Sequence, residues 1–155
     1  MIMIKKLLLT PLLLSIATAA VTTVSADEAA GKAAYMLCSA CHNADGTGLP
    51  VGDKKMAPSL VASKVVTGDP AVFALVVLKG IKKEGTEHIG MMASLEAVYA
   101  DDQKLADVLT FVRSSFGNKA AAVTVADAAK FRAQWKDVKE PVSRAKMAEL
   151  SKPAE

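Results

Sequence analysis

Cys38-Ser39-Ala40-Cys41-His42 sets two thiols three residues apart, with a histidine directly after the second. Such a pair can add to the two vinyl groups of one haem, and the adjoining imidazole then lies under the ring, where it can ligate the iron. These are the only 2 cysteines in the chain, so a single attachment would use both. Other uses fit less well. A structural disulfide leaves His42 without a role. A structural zinc ion needs four ligands, and the chain has only the two cysteines, His42 and His88 from the cysteine and histidine set. A thioredoxin-like redox pair requires a βαβ setting, whereas the flanks here read as helix and then glycine-bearing loop.

The elements that must position this motif are legible around it. An alanine-rich helix from Asp27 to about Leu37 delivers Cys38, and residues 43–50, with Gly46 and Gly48, form a turn region. Residues 51–68 have little periodicity and read as an ordered loop laid over another group, punctuated by Gly52, Pro58 and Gly68. Asp69-Pro70 starts a second helix, with aspartate at the cap and proline in the first turn. Residues 71–79 are apolar nearly all round, so that helix should be buried, and Gly80 ends it. Residues 81–100 are a second irregular stretch, containing Gly85, His88, Gly90, Met91 and Met92. Asp101 opens a third helix to about Phe116, in which Leu105, Val108, Leu109 and Val112 recur at helical spacing before Gly117-Asn118 stops it. No strand pattern, repeat or low-complexity tract stands out. Three helices joined by long loops make a thin core, and a buried haem would supply the apolar plate on which the loops pack.

Beyond Asn118, Thr124 and Asp127 are spaced as a capping box. Ala128, Phe131, Trp135 and Val138 follow on one face, predicting a helix that packs back on the domain, with docking to a dehydrogenase or oxidase as the alternative. Residues 139–155, with Pro141 and Pro153, read as loose or partly helical.

The first residues read as an export signal. Lys5 and Lys6 precede an apolar run over residues 7–20, and Val24-Ser25-Ala26 supplies the small residues of a cleavage site before Asp27. Left uncleaved, the run approaches the length of about 20 residues that spans a bilayer and would be an anchor. Export agrees with the motif, because covalent haem attachment in bacteria takes place outside the cytoplasmic membrane, and the expected location is the periplasm. Loss of Lys5 and Lys6 brings the 19 basic and 16 acidic side chains close to balance. No basic run with interleaved aromatics is present, so nucleic acid is not an expected partner.

In this order of elements the chain resembles the class I, monohaem bacterial cytochromes c. The resemblance runs from about Gly31 to Asn118. It rests on the CSACH motif, the turn NADGTG, the internal helix, a methionine-bearing loop and the terminal string DDQKLADVLTFVRSSFGN. It implies an all-α class I cytochrome c fold, with helices and long loops wrapped around one covalent haem c, over residues 27–118. Residues 1–26 would then be the signal and 119–155 a C-terminal helical extension. In that family a glycine and an aromatic one turn apart on the first helix pack against an aromatic of the last, and Gly31, Tyr35 and Phe111 match those positions.

The resemblance also implies His42 as one iron ligand and a methionine after the internal helix as the other. Met92 is the favoured position and Met91 the alternate, because Ala93 stands where relatives often carry proline and leaves the register open by one. Met56 reads as a packing residue. His88, four residues before Met92, is a further candidate that would give a bis-histidine pair. Pro58 matches the proline whose region offers a carbonyl to the proximal histidine.

Histidine and thioether together leave iron no vacancy and favour Fe(II), which suits one-electron transfer rather than catalysis. The expected function is an electron carrier, not an enzyme, whose partners are redox proteins: a dehydrogenase, a cytochrome complex or a terminal oxidase. A cytochrome subunit of such a complex is one alternative. A haem enzyme or gas sensor with a displaceable sixth ligand is the other. Lys54, Lys55, Lys79, Lys82 and Lys83 flank the two loops and are candidates for steering acidic partners, although a solvated surface accounts for each equally well.

Overall fold

The computed structural model describes residues 26–152. Lys5, Lys6, the apolar run and Val24-Ser25 lie outside the described residues, as does Pro153. Among the described residues the architecture is all-α apart from one minimal hairpin: α1 (Glu28–His42), β1 (Pro50–Val51), β2 (Lys54–Lys55), α2 (Lys64–Thr67), α3 (Pro70–Lys79), α4 (Asp102–Ser114), α5 (Val125–Trp135) and α6 (Arg144–Leu150). The hairpin pairs Val51 with Lys54 across Gly52 and was not apparent from the sequence, since two-residue strands carry no alternation to read.

Asp27 caps α1 by accepting the N–H of Ala30 at 3.1 Å. The helix does not end near Leu37; it continues through the cysteine motif to His42. Its last carbonyls are satisfied by the following loop, Leu49 N–H donating to Cys41 at 2.9 Å and Gly48 N–H to His42 at 2.8 Å. The motif is thus helical because the turn behind it closes the helix end.

α1 crosses α4 at Gly31. A Cβ there would overlap the carbonyl oxygen of Asp107 and come within 2.7 Å of Phe111 Cβ. One turn on, Tyr35 packs on Phe111 (ring centroids 5.5 Å) and on Phe116 (5.1 Å), and the two phenylalanines meet edge to face. Gly31→Ala should therefore cost about 2 kcal/mol net, because the overlap is with backbone and exceeds the gain in helix propensity. Denaturant unfolding would measure it, and an unchanged midpoint would sink the close-approach account.

α3 is buried along its length from Ala71 to Lys79, with Asp69 capping it at Ala71 N–H (2.8 Å). Arg113 of α4 is 3% exposed and gives its guanidinium to three carbonyls, Val66 (2.7 Å), Gly68 (3.0 Å) and Ala121 (2.9 Å). Asn118 is also buried and joins the loop to α4, donating to Leu60 and Val112 while accepting from Ala62. These two side chains tie the loop backbone at Leu60, Ala62, Gly68 and Ala121 to α2 and α4.

The extension packs on this body. Thr124 and Asp127 form the capping box reciprocally at 3.1 Å each way. Ala128 and Phe131 are buried, and Trp135 Nε1–H donates to the Ala71 carbonyl at 2.8 Å. Of the two readings for the residues after Lys139, loose or partly helical, the described residues follow the second, with α6 over Arg144–Leu150. Ser143 caps α6 at Lys146 N–H (3.1 Å), and Met147 and Val142 sink against Leu75 and Val76. Pro141 and the short length of α6 hid this from periodicity.

Candidate haem-attachment site

α1 presents Cys38, Cys41 and His42 within its last turn and a half, and neither cysteine is in a disulfide. The Cys38 thiol faces inward, with Sγ 3.6 Å from the Tyr99 hydroxyl, which itself donates to the Ala34 carbonyl at 2.9 Å. Burial pushes the Cys38 thiol above its ordinary range, so it is held as a neutral thiol. Tyr99 thus touches the candidate attachment site directly. Nothing in a single sequence separates a tyrosine used for its hydroxyl from one used for its ring.

His42 places Nδ1 3.0 Å from the Pro58 carbonyl oxygen. An oxygen acceptor there requires Nδ1 to carry the proton, which leaves the Nε2 lone pair as the donor to a metal. Burial holds the imidazole pKa below its ordinary value, the Pro58 carbonyl partly opposes this, and His88 adds to the lowering. A neutral imidazole is the state ligation needs. Pro58 therefore lies where its sequence position suggested.

The two loops are zipped together by backbone. Lys55 bridges His88, Ile89 N–H donates to Lys55 at 3.0 Å, and Gly90 N–H donates to Met56 at 2.7 Å. Lys83 spans the carbonyls of His88, Ile89 and Gly90 with its ammonium. Further on, Ile81 pairs with Met92 as an antiparallel bridge, its N–H donating to Met92 at 2.9 Å. Gly80 (φ +76°) allows that approach, since a Cβ would overlap the Met92 carbonyl oxygen and sit 2.7 Å from the Ala93 carbonyl carbon.

The methionine candidates separate by burial. Met92 is half-buried and packs against both apolar clusters, whereas Met91 is 62% exposed. Met56 lies beside Gly90, as a loop-packing residue would. His88 is brought near His42, and its Nδ1 is buried without a hydrogen-bond partner. Of the candidate steering lysines, Lys79 is removed by the structure: it is 6% exposed and pairs with Glu96 at 2.6 Å. Its position at the end of a helix buried all round turns it inward. Lys54 and Lys55 bond loop carbonyls, Thr86 at 3.1 Å and Thr47 at 2.6 Å.

The donor set fits a haem. A helix end offers two thiols and an imidazole with a directed lone pair, and one buried ring nitrogen, Nδ1 of His88, is unsatisfied. Large apolar side chains stay exposed on the segments adjoining the motif: Met36 and Leu37 before it, Val51 in the hairpin, Ile89 and Met91 in the second loop.

Fold and site together define a protein built to hold covalent haem c. The family model for cytochrome c matches residues 28–116, and the chain belongs to the cytochrome c family. Among similar proteins is the cytochrome c subunit of alcohol dehydrogenase (quinone) from Gluconobacter oxydans (strain 621H). It is 34% identical over 108 residues, which cover 66% of this chain and 22% of that relative. The chain thus matches about a fifth of the relative's length. Membership of the family makes this protein a carrier of electrons by haem rather than a catalyst in its own right.

Proposed function

We propose that this chain is an exported one-electron carrier with one haem c bound through Cys38 and Cys41 and ligated by His42 and Met92. The observation that carries the ligand assignment is the pairing of a directed imidazole with an inward thioether. His42 is fixed by the Pro58 carbonyl, and Met92 turns toward the apolar clusters while Met91 turns to solvent. When bound, the haem supplies the one-electron couple. The chain's own residues do the rest. Cys38 and Cys41 tether the group, the Pro58 carbonyl holds the His42 ring in one tautomer, and the zipped loops exclude water from the ligand side.

A relative named as a dehydrogenase's cytochrome c subunit supports a quinone-type dehydrogenase complex as the partner. A separate cytochrome complex or a terminal oxidase would use the same chemistry. Export to the periplasm follows from the sequence of residues 1–26 and the chemistry of attachment. A second ligand pair has one observation in its favour: the orphaned Nδ1 of His88 near His42, which would suit a bis-histidine site of lower potential.

Protein purified from cells able to mature such proteins tests the proposal. Its mass should exceed that of residues 27–155 by one haem. The oxidised protein should show a near-infrared thioether-to-iron band, and the reduced protein should not bind carbon monoxide. A haem-free mass would end the assignment. Ready carbon monoxide binding would mean an open or displaceable position, as in an enzyme or gas sensor.

A further inference from the structure

The segment that carries Met92 is held at both ends by the C-terminal extension, not by the haem domain alone. At its start, the extension adds a backbone bridge. Val142 N–H donates to the Gly80 carbonyl at 3.0 Å, and Lys82 N–H donates to the Val142 carbonyl at 2.9 Å. Val142 thereby bridges Ile81, the same residue that bridges Met92 on its other edge. Val142, Ile81 and Met92 form one continuous backbone ladder. At the far end, Arg132 of α5 donates to the Tyr99 carbonyl at 2.6 Å and pairs with Asp102 at 2.8 Å. Tyr99 in turn touches Cys38 Sγ at 3.6 Å.

These contacts are not the generic burial of an extra helix. Val142 is 5% exposed, so its backbone bonds lie in a protected place and are worth more than surface ones. The bracketed stretch from Met92 to Tyr99 has no helix or strand of its own, and the haem domain holds its middle on α3: Leu95 N–H donates to the Val77 carbonyl at 3.1 Å, the Ser94 hydroxyl donates to the Leu78 carbonyl at 2.5 Å, and Glu96 pairs with Lys79 at 2.6 Å. Met92 itself stands at the start of the stretch, ahead of those middle contacts, so its backbone depends on the Ile81 bridge that Val142 backs.

We infer that the extension is a positioning clamp for the sixth ligand, with Val142 and Arg132 as its two positioning residues. The inference rests on Met92 being that ligand. Undoing either anchor lets the segment open more often and exposes the metal to competing ligands, with the haem still attached. A net loss of one hydrogen bond, about 1 kcal/mol, raises the open population about fivefold.

The experiment uses the full-length holoprotein and adds imidazole to the oxidised state. Val142→Pro removes the N–H that bonds Gly80, and Arg132→Gln removes the Asp102 pair and weakens the Tyr99 contact. Each should bind imidazole about fivefold faster than the parent and lose part of the thioether band. Hydrogen exchange at the Ile81 amide should rise in parallel in Val142→Pro. Val142→Ile keeps the backbone donor and should restore parental rates. Asp69→Ala, which removes the N-cap of α3 far from both anchors, should lower stability yet leave imidazole binding near the parental rate. If the parent lacks the thioether band, the Met92 assignment fails. If the parent has the band and both Val142→Pro and Arg132→Gln bind imidazole at the parental rate, the clamp is wrong and Met92 stands. Equal acceleration by Asp69→Ala would also overturn it, since stability alone would then account for the effect.

Discussion

Met92→Ala abolishes the near-infrared thioether-to-iron band of the oxidised protein and converts the reduced protein from inert to stoichiometric in carbon monoxide binding. The expectation follows from where the two adjacent methionines go. Met92 packs inward on both apolar clusters, and Met91 is 62% exposed. Met91→Ala should therefore change stability and ligand exchange by no more than about twofold, as surface substitutions do. Met92→Ala also leaves a void, with a stability cost of about 2 kcal/mol, at the low end for buried methionine because the side chain is only half-buried. Visible and near-infrared spectra of both variants read the result. Survival of the band in Met92→Ala would move the assignment to Met91 or Met56. A parent spectrum of the bis-histidine type, lost in His88→Ala, would instead give the role to the ring whose Nδ1 is unsatisfied.

Replacing both motif cysteines, Cys38→Ser with Cys41→Ser, should give protein whose mass lacks the haem and whose fold is severely weakened. Tethering converts haem binding into folding free energy. A ligand bound at a thousandfold excess over its Kd contributes about 4 kcal/mol, and a covalent one is never released. Without it, Met36 at 69% and Leu37 at 49% exposure remain as uncovered apolar surface beside the motif. Mass spectrometry and thermal unfolding check the two halves of the expectation. A double variant as stable as the parent would mean that the loops hold themselves, and the haem would lose its structural part.

Much of this was visible in the chain because it is written locally. Capping signals are short-range chemistry: Asp69-Pro70 opens α3, and Thr124 with Asp127 opens α5, since each cap bonds residues two or three positions away. The uninterrupted apolar run of α3 announces burial on every side, and the structure buries it from Ala71 to Lys79. Gly31, Tyr35 and Phe111 were legible through the resemblance, and their contact needs no more than two helices crossing at a glycine.

Other features had no local signature. The end of α1 was misplaced because its extension to His42 depends on Gly48 and Leu49 returning to cap it. Lys79 read as a surface charge until its helix proved to be enclosed and Glu96 proved to be its partner. Arg113 and Arg132 look like any helical arginine, yet both spend their donors on carbonyls distant in sequence, Val66 and Tyr99. Residues 139–152 read as loose or partly helical because Pro141 breaks the pattern and α6 is short, while Val142 is fixed by backbone bonds to Gly80 and Lys82, far back in the chain.

The sequence by itself pointed to haem c and to the residues proposed to attach it, because two thiols and an imidazole within five residues suit that chemistry wherever the segment lies. Only the tertiary structure decided which methionine faces inward, what holds its segment and which lysine is lost to the interior. Each of those depends on backbone bonds and burial between stretches far apart in the chain, and such contacts exist only once the loops have closed.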